Sequence, residues 1–229
     1  MNAVLDSPDV YLKAFGYTVF LFLVSGLFSV ILGTVLVAMR VGPVSVLSKA
    51  ATVYISTVRN TPLVMIFLFF QLGAPKVFQT LRFTWVDIHI GTYDFTSFFS
   101  AAVVALTLYT SCFVCESLRA GINAVPLGQA EAARAIGLPF AGVMRQVILP
   151  QAFRASVPPL ASTLIALLKN TSVAGVFGVI EAAAQMKSYT NDFASERTGI
   201  FIMFALGYVV LVEIVSVVAT FLERRWRIA

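Results

Sequence analysis

The chain has 229 residues, of which 59% are hydrophobic and 12% charged, with a mean hydropathy of +0.90 and a formal net charge of +5. A water-soluble domain carries roughly 25% charge, so the composition excludes that class and describes an integral membrane protein. The positive balance does not point to nucleic acid, because in a membrane protein the placement of Lys and Arg sets orientation.

The opening MNAVLDSPDV carries Asp6 and Asp9 and no basic residue before Lys13. It lacks the positive start of a cleavable signal peptide, so the first helix is expected to remain in the mature chain. Four segments reach the about 20 apolar residues needed to cross hydrocarbon: Tyr11 to Met39, Phe95 to Leu118, Val157 to Val179 and Ile200 to Leu222. A fifth, Val53 to Ala74, crosses if Arg59 and Asn60 can be housed. In the first helix Ser25, Ser29 and Gly33 recur at four-residue spacing, which lets helices approach closely; packing within the chain is favoured over a dimer seam. Cys112 and Cys115 form a C-x-x-C inside the third helix, with no second pair and the only histidine, His89, in a loop across the membrane. Structural zinc needs four ligands, so packing is favoured and no metal site is expected.

Arg40 and Lys49, then Arg119, Arg134, Arg145 and Arg154, then Arg224, Arg225 and Arg227 fall on one side of the membrane. The other side holds Lys13, Lys76, Arg82, Lys187 and Arg197, diluted by Asp6, Asp9, Asp87, Asp94, Asp192 and Glu196. The positive-inside rule then puts the N-terminus outside and the C-terminus in the cytoplasm. The expectation is an all-α polytopic fold of five transmembrane helices in a single domain, residues 1–229, with a cytosolic segment at 126–150 between helices three and four and external loops around Lys76 to Asp94 and around Glu181 to Arg197.

A cation at mid-membrane costs about 2.5 to 3.5 kcal/mol, so Arg59 and Lys169 need partners or a wet cavity. Glu116 and Glu213 are the intramembrane anions, and a structural pair of Arg59 with Glu116 is one reading. The other is a central polar cavity. Arg59-Asn60-Thr61 on helix two echoes Lys169-Asn170-Thr171 on helix four, and the amides and hydroxyls beside each cation can bind a carboxylate or an amino group. Pro62 removes a backbone donor and frees a carbonyl, a device by which broken helices coordinate transported solutes. The candidate solute site is therefore Arg59, Asn60, Thr61, Glu116, Lys169, Asn170 and Thr171. Nothing in it is catalytic. Carrier and channel are not separated by these residues alone.

In the cytosolic segment Pro126 and Gly128 mark a turn, and Gln129 to Ile136 reads as a short helix ended by Gly137 and Pro139. A second short helix, Phe140 to Leu149, is expected to stop at Pro150. Periodicity leaves two readings open, an amphipathic helix on anionic headgroups or a protein-docking element. The spacing of Glu131-Ala132-Ala133, Gly137 and Val147-Ile148-Leu149-Pro150 resembles the EAA signature of the membrane subunits of ABC importers, with Val147 where the pattern has isoleucine. Val58 to Leu63, Glu116 to Ile122, Gly128-Gln129 and Leu168 to Ser172 resemble the polar amino acid permeases of histidine, glutamine and glutamate uptake. Met39 to Val44 and Tyr109-Thr110-Ser111 are most similar to the shorter permease of actinobacterial glutamate importers.

The resemblance implies an ATP-driven importer subunit of the bacterial cell membrane working by alternating access. Gly128, Glu131, Ala132, Ala133, Gly137, Leu149 and Pro150 would form the coupling segment that enters a groove on the ATPase. It implies as partners a cytosolic ATPase dimer, a second permease, identical or homologous, an extracytoplasmic amino-acid-binding protein and membrane lipid, and no nucleic acid. The sequence has no G-x-x-x-x-G-K-[ST], so no cofactor is expected in this chain; ATP and Mg would belong to the ATPase, and the chain would not be an enzyme. Glutamate is the favoured solute, with glutamine or another polar amino acid the alternative. A self-sufficient channel or secondary carrier would have no use for a docking segment, and a membrane-embedded enzyme lacks the nucleophile or metal cluster it would need.

Overall fold

The computed structural model describes residues 2–83, 86 and 88–226. Asp87 and Arg227, two of the charges used to orient the chain, lie outside the described residues. The fold is helical almost throughout. A single turn, α1 (Asn2–Leu5), precedes α2 (Pro8–Val41), whose Pro8 sits in the first turn, where the missing N–H costs nothing. Next come α3 (Ser45–Asn60) and α4 (Leu63–Leu68), which continues through a π-helical turn, Phe69–Gly73, into α5 (Ala74–Val77). A hairpin of β1 (Ile88–Ile90) and β2 (Tyr93–Phe95) pairs Ile88 with Phe95 and leads into α6 (Ser97–Asn123). The short α7 (Leu127–Ala135) and α8 (Phe140–Val143) precede a π-helical turn, Met144–Ile148, and the long α9 (Leu149–Asn170). A 3₁₀ stretch, Thr171–Phe177, then α10 (Ala182–Asp192) and α11 (Arg197–Trp226) complete the chain.

Four helical runs are long and apolar enough to cross a membrane: Pro8–Val41, Ser97–Asn123, Phe140–Phe177 and Ala194–Arg225. The fifth predicted span is not straight. Ser45–Asn60 and Leu63–Val77 meet at 103°, with the break at Thr61 and Pro62. Proline cannot donate to the carbonyl four residues back and disfavours helical geometry in the residue before it, and Thr61 is extended at φ −93°, ψ 126°.

Two further expectations need correction. The helix beginning at Phe140 does not stop at Pro150; it passes through the Met144–Ile148 π-helical turn into α9, with Pro150 in the first turn of that helix. The wider turn lies where the proline ring would crowd an α-helix, so the chain continues in one apolar run. The stretch 181–197, expected as a loop, contains α10.

Small residues set the closest packing. Ser25 and Ser29 are fully buried, and the Ser29 hydroxyl donates to the Thr107 carbonyl of α6 at 3.4 Å. A Cβ on Gly33 would lie 2.5 Å from Val114 Cγ1, so α2 and α6 touch at van der Waals distance along this stripe. The small-residue pattern thus serves packing within the chain, as expected. Cys112 and Cys115 are fully buried beside Leu36, Val37, Ala51 and Ile55, where they pack as small hydrophobes. The main core lies between Tyr17 and Leu21 of α2, Phe67 of α4, Phe99 to Leu106 of α6 and Leu167 of α9.

Candidate translocation and coupling sites

The two cation-Asn-Thr clusters occupy equivalent places in their helices. Asn60 is the last residue of α3 and Asn170 the last of α9, and the backbone changes course after each: the sharp bend at Thr61 and the 3₁₀ stretch from Thr171. The sequence echo is therefore an echo of helix ends. In each, the threonine hydroxyl is turned back on its own backbone: Thr61 donates to the Thr57 carbonyl at 2.8 Å and Thr171 to Leu168 at 2.7 Å.

Their surroundings differ. Arg59 lies 3.3 Å from Glu116 Oε1, and its guanidinium carbon is 5.8 Å from the Phe113 ring centroid. Glu116 also pairs with Arg40 from the end of α2, and with Arg119 one turn on, at 3.8 Å. One carboxylate, 29% exposed, thus holds guanidinium groups from α2, α3 and α6. Lys169 is exposed and Thr171 is buried, so the second cluster does not share one surface. Asn170 alone of that cluster lines a 320 Å³ cleft between α6 and α9, with Tyr109, Thr110, Phe113, Ser162 and Thr163. Phe113 joins the two halves, since it stacks under Arg59 and walls the cleft that Asn170 closes. Arg59, Glu116 and Asn170 therefore surround one region; Lys169 and Thr171 are placed apart from it, and Asn60 is exposed at the bend. Glu213 is exposed on α11.

The hydroxyls of the cleft were not singled out from sequence. Pro158 and Pro159 sit inside α9, Thr163 donates to the Pro159 carbonyl at 2.9 Å, and Ser117 of α6 lies 3.0 Å from the Thr163 hydroxyl. The signal available was Ser162-Thr163 four residues after a proline pair, where backbone hydrogen bonds are missing and side-chain hydroxyls gather.

Glu181 was also missed. It is fully buried and caps α10, accepting from Ala183 N–H at 2.9 Å and Ala184 N–H at 2.8 Å, while the Tyr208 hydroxyl of α11 donates to it at 2.7 Å. Thr18 of α2 accepts from Ala182 N–H at 3.2 Å, so α2, α10 and α11 meet there. A Cβ on Gly175 would come within 2.2 Å of Glu181 Oε1, which makes glycine necessary in the 3₁₀ stretch. Burial pushes the Glu181 carboxyl up to about 7, against the opposing pull of its hydrogen bonds. An acid preceding three alanines was the capping signal.

At the opposite end of α9, α7 closes with Ile136 N–H on Ala132, Gly137 N–H on Arg134 and Leu138 N–H on Ala133, at 3.2, 3.0 and 3.2 Å. Gly137 has φ +89°, the left-handed conformation that glycine adopts without strain. Ala133 is buried against the rest of the corner, whereas Gly128, Glu131, Ala132 and Gly137 are exposed. Leu127 is 81%, Ile136 80% and Phe140 63% exposed. Leu149 and Pro150 are exposed where α9 begins. Gln129 and Gln151 join α7 to α9 through their side-chain amides.

A bundle of membrane-crossing helices with one broken span, a polar cleft between two of them and a projecting apolar corner defines a polytopic transport component. The chain belongs to the family of binding-protein-dependent transport system inner membrane components, which matches residues 27–228. It is 48% identical over 206 residues to the glutamate transport system permease protein GluC of Corynebacterium efficiens, covering 90% of this chain and 89% of that protein. It is 32% identical to the probable glutamine ABC transporter permease protein GlnM of Bacillus subtilis, covering 98% and 97%. A crystal structure of an amino acid ABC transporter with histidines superposes with a TM-score of 0.83 at 27% identity, covering 97% of each chain. The protein is accordingly an ABC permease subunit and an integral component of the cell membrane. As a family, such permeases work with an ATPase and a solute-binding protein.

Proposed function

We propose that this permease imports glutamate by alternating access, driven by ATP hydrolysis on a separate ATPase dimer, with a second permease completing the pathway. The observation that carries the coupling half is the exposed corner of α7: Leu127, Ile136 and Phe140 face outward around the Gly137 turn, although water gives a folded chain no reason to display them. A groove on a partner protein does. In this reading the N-terminus is outside, α7 is cytosolic, and Gly128, Glu131, Ala132, Ala133, Gly137, Leu149 and Pro150 form the coupling contact.

The solute half rests on the region around Phe113. Arg59 offers a fork that suits a carboxylate, Asn170 an amide, and Ser162, Thr163 and Thr110 hydroxyls. Lys169, on the exposed side of the same helix end, supplies a second cation when the partner permease closes the pathway; Asn60, Thr61 and Thr171 hold the two helix ends in shape. Glutamate is favoured over other solutes because GluC proteins are 48% and 46% identical to this chain. Glutamine is the second reading, favoured by the likeness to GlnM.

The test is uptake of radiolabelled glutamate and glutamine into proteoliposomes holding the whole complex, with the ATPase rate recorded in parallel. Lys169→Ala and Arg59→Gln are expected to cut glutamate uptake at least tenfold while ATPase stimulation by the binding protein persists. Wild-type uptake of glutamine without glutamate would overturn the acidic solute. Unchanged uptake in both variants would make the two cations structural.

A further inference from the structure

An almost wholly apolar groove lies away from the cleft. Val19, Phe22 and Leu23 of α2, the α9 face from Phe153 to Leu168, and the α11 face from Leu211 to Leu222 enclose a 600 Å³ groove whose lining is almost free of polar atoms. Ala161 and Ala219 leave the space open. We propose that this groove is a binding site for one anionic phospholipid, its acyl chain lying between α9 and α11 and its phosphate held at the end near α7.

Three observations select that occupant. First, the groove lies between three membrane-crossing runs and offers no hydrogen-bonding group, so it suits hydrocarbon and gives a polar solute nothing to bind. Second, its length fits one leaflet: Phe153 to Leu168 covers about 22 Å at 1.5 Å per residue, enough for the ~15 Å hydrocarbon depth of a leaflet. Third, positive charge is denser at one end than at the other. The α9 and α11 helices run in opposite directions, since Tyr208 of α11 meets Glu181 just beyond the far end of α9, so Phe153 and Leu222 share the opposite end. Arg154 follows Phe153, and Arg224 and Arg225 follow Leu222 after Glu223. All three arginines are exposed. Three guanidinium groups against one carboxylate complement a phosphate at the membrane surface. At the far end, at Val19, Leu168 and Leu211, one exposed cation, Lys169, follows the α9 lining, against three arginines at the near end.

The site has a consequence for transport. α9 runs on from the coupling corner and carries Asn170 at its other end, so a lipid wedged against α11 sets how α9 sits on its neighbour. This inference does not depend on which solute is carried.

The test places the full importer complex in nanodiscs holding equal parts of phosphatidylglycerol and phosphatidylcholine, each with a diazirine at the acyl terminus. After photolysis, mass spectrometry maps the adducts. Leu164, Leu168 and Leu211 are expected to take phosphatidylglycerol at least threefold over phosphatidylcholine, while the outward-facing Val210 and Val217 of α11 show no preference. Replacing Arg154, Arg224 and Arg225 with Gln should bring the groove to parity. Filling it with Ala161→Phe and Ala219→Phe should remove groove adducts and spare those at Val210 and Val217. Equal labelling of groove and outer face in the wild type would overturn the proposal. So would groove residues protected by, and crosslinked to, a helix of the second permease.

Discussion

Arg59 and Glu116, 57 residues apart in the chain, lie 3.3 Å from each other, and the carboxylate also holds Arg40 and Arg119. The ends of α2 and α3 are thereby pinned to α6 just above the point where α6 gives way to α7. A partly buried carboxylate among three guanidinium groups lowers the cost of all three, and its loss leaves them facing one another. Glu116→Gln is expected to destabilise the complex by about 1–3 kcal/mol, with Glu116→Asp intermediate, discounted from the buried-pair range because these groups are partly exposed. Thermal unfolding of the detergent-solubilised complex measures this; an unchanged midpoint would show that the cluster contributes little.

Two glycines make a contrasting pair. A Cβ on Gly121 would fall 1.9 Å from Ser156 Oγ and 2.4 Å from the Ala152 carbonyl, so α6 and α9 touch through backbone there. Gly128 has nothing within 4 Å. Gly121→Ala should cost about 1–3 kcal/mol through overpacking, and Gly128→Ala should leave stability near wild type. Differential scanning of both variants side by side checks the order; equal midpoints would mean α9 yields freely.

Ile136 is 80% exposed at the turn that follows α7, so a charge there costs the isolated permease almost nothing. Ile136→Asp is expected to leave the permease folded in the membrane and to weaken its association with the ATPase at least tenfold. Co-purification and binding-protein-stimulated ATPase activity read this directly. Full association would place the docking contact elsewhere.

Glu181 predicts a pH dependence whose sign is fixed by burial. Its carboxyl is raised from 4.5 to about 7 in the folded chain, so the fold favours the protonated form. Stability from this group is fully present below about pH 4.5 and is lost as pH rises through about 7, a total of about 3 kcal/mol at 1.36 kcal/mol per pH unit. The wild type should therefore lose stability relative to Glu181→Gln between those values. Parallel pH profiles for the two proteins would show that its three hydrogen bonds fully offset burial.

Much of this architecture was legible along the chain. Apolar runs of sufficient length located α2, α6, α9 and α11, because a continuous apolar run satisfies its own backbone in hydrocarbon by coiling into a helix. Pro62 marked the break in the second span, and Gly137 marked the end of α7, a local matter of backbone φ. The stripe of Ser25, Ser29 and Gly33 pointed to close helix packing for the same local reason, since side-chain size is written in the residue itself.

Other features depended on neighbours far away in sequence. That Pro150 continues a helix followed from a π-helical turn no propensity announces. That Glu116 serves three arginines, that Thr171 is buried while Asn170 lines a cleft, and that Glu181 lies in the dry meeting point of α2, α10 and α11 were decided by which helix faces came together. A sequence specifies how a segment lies in a membrane, because that depends on the segment and its solvent. Which charge pairs with which depends on contacts between segments, and those exist only once the chain has folded.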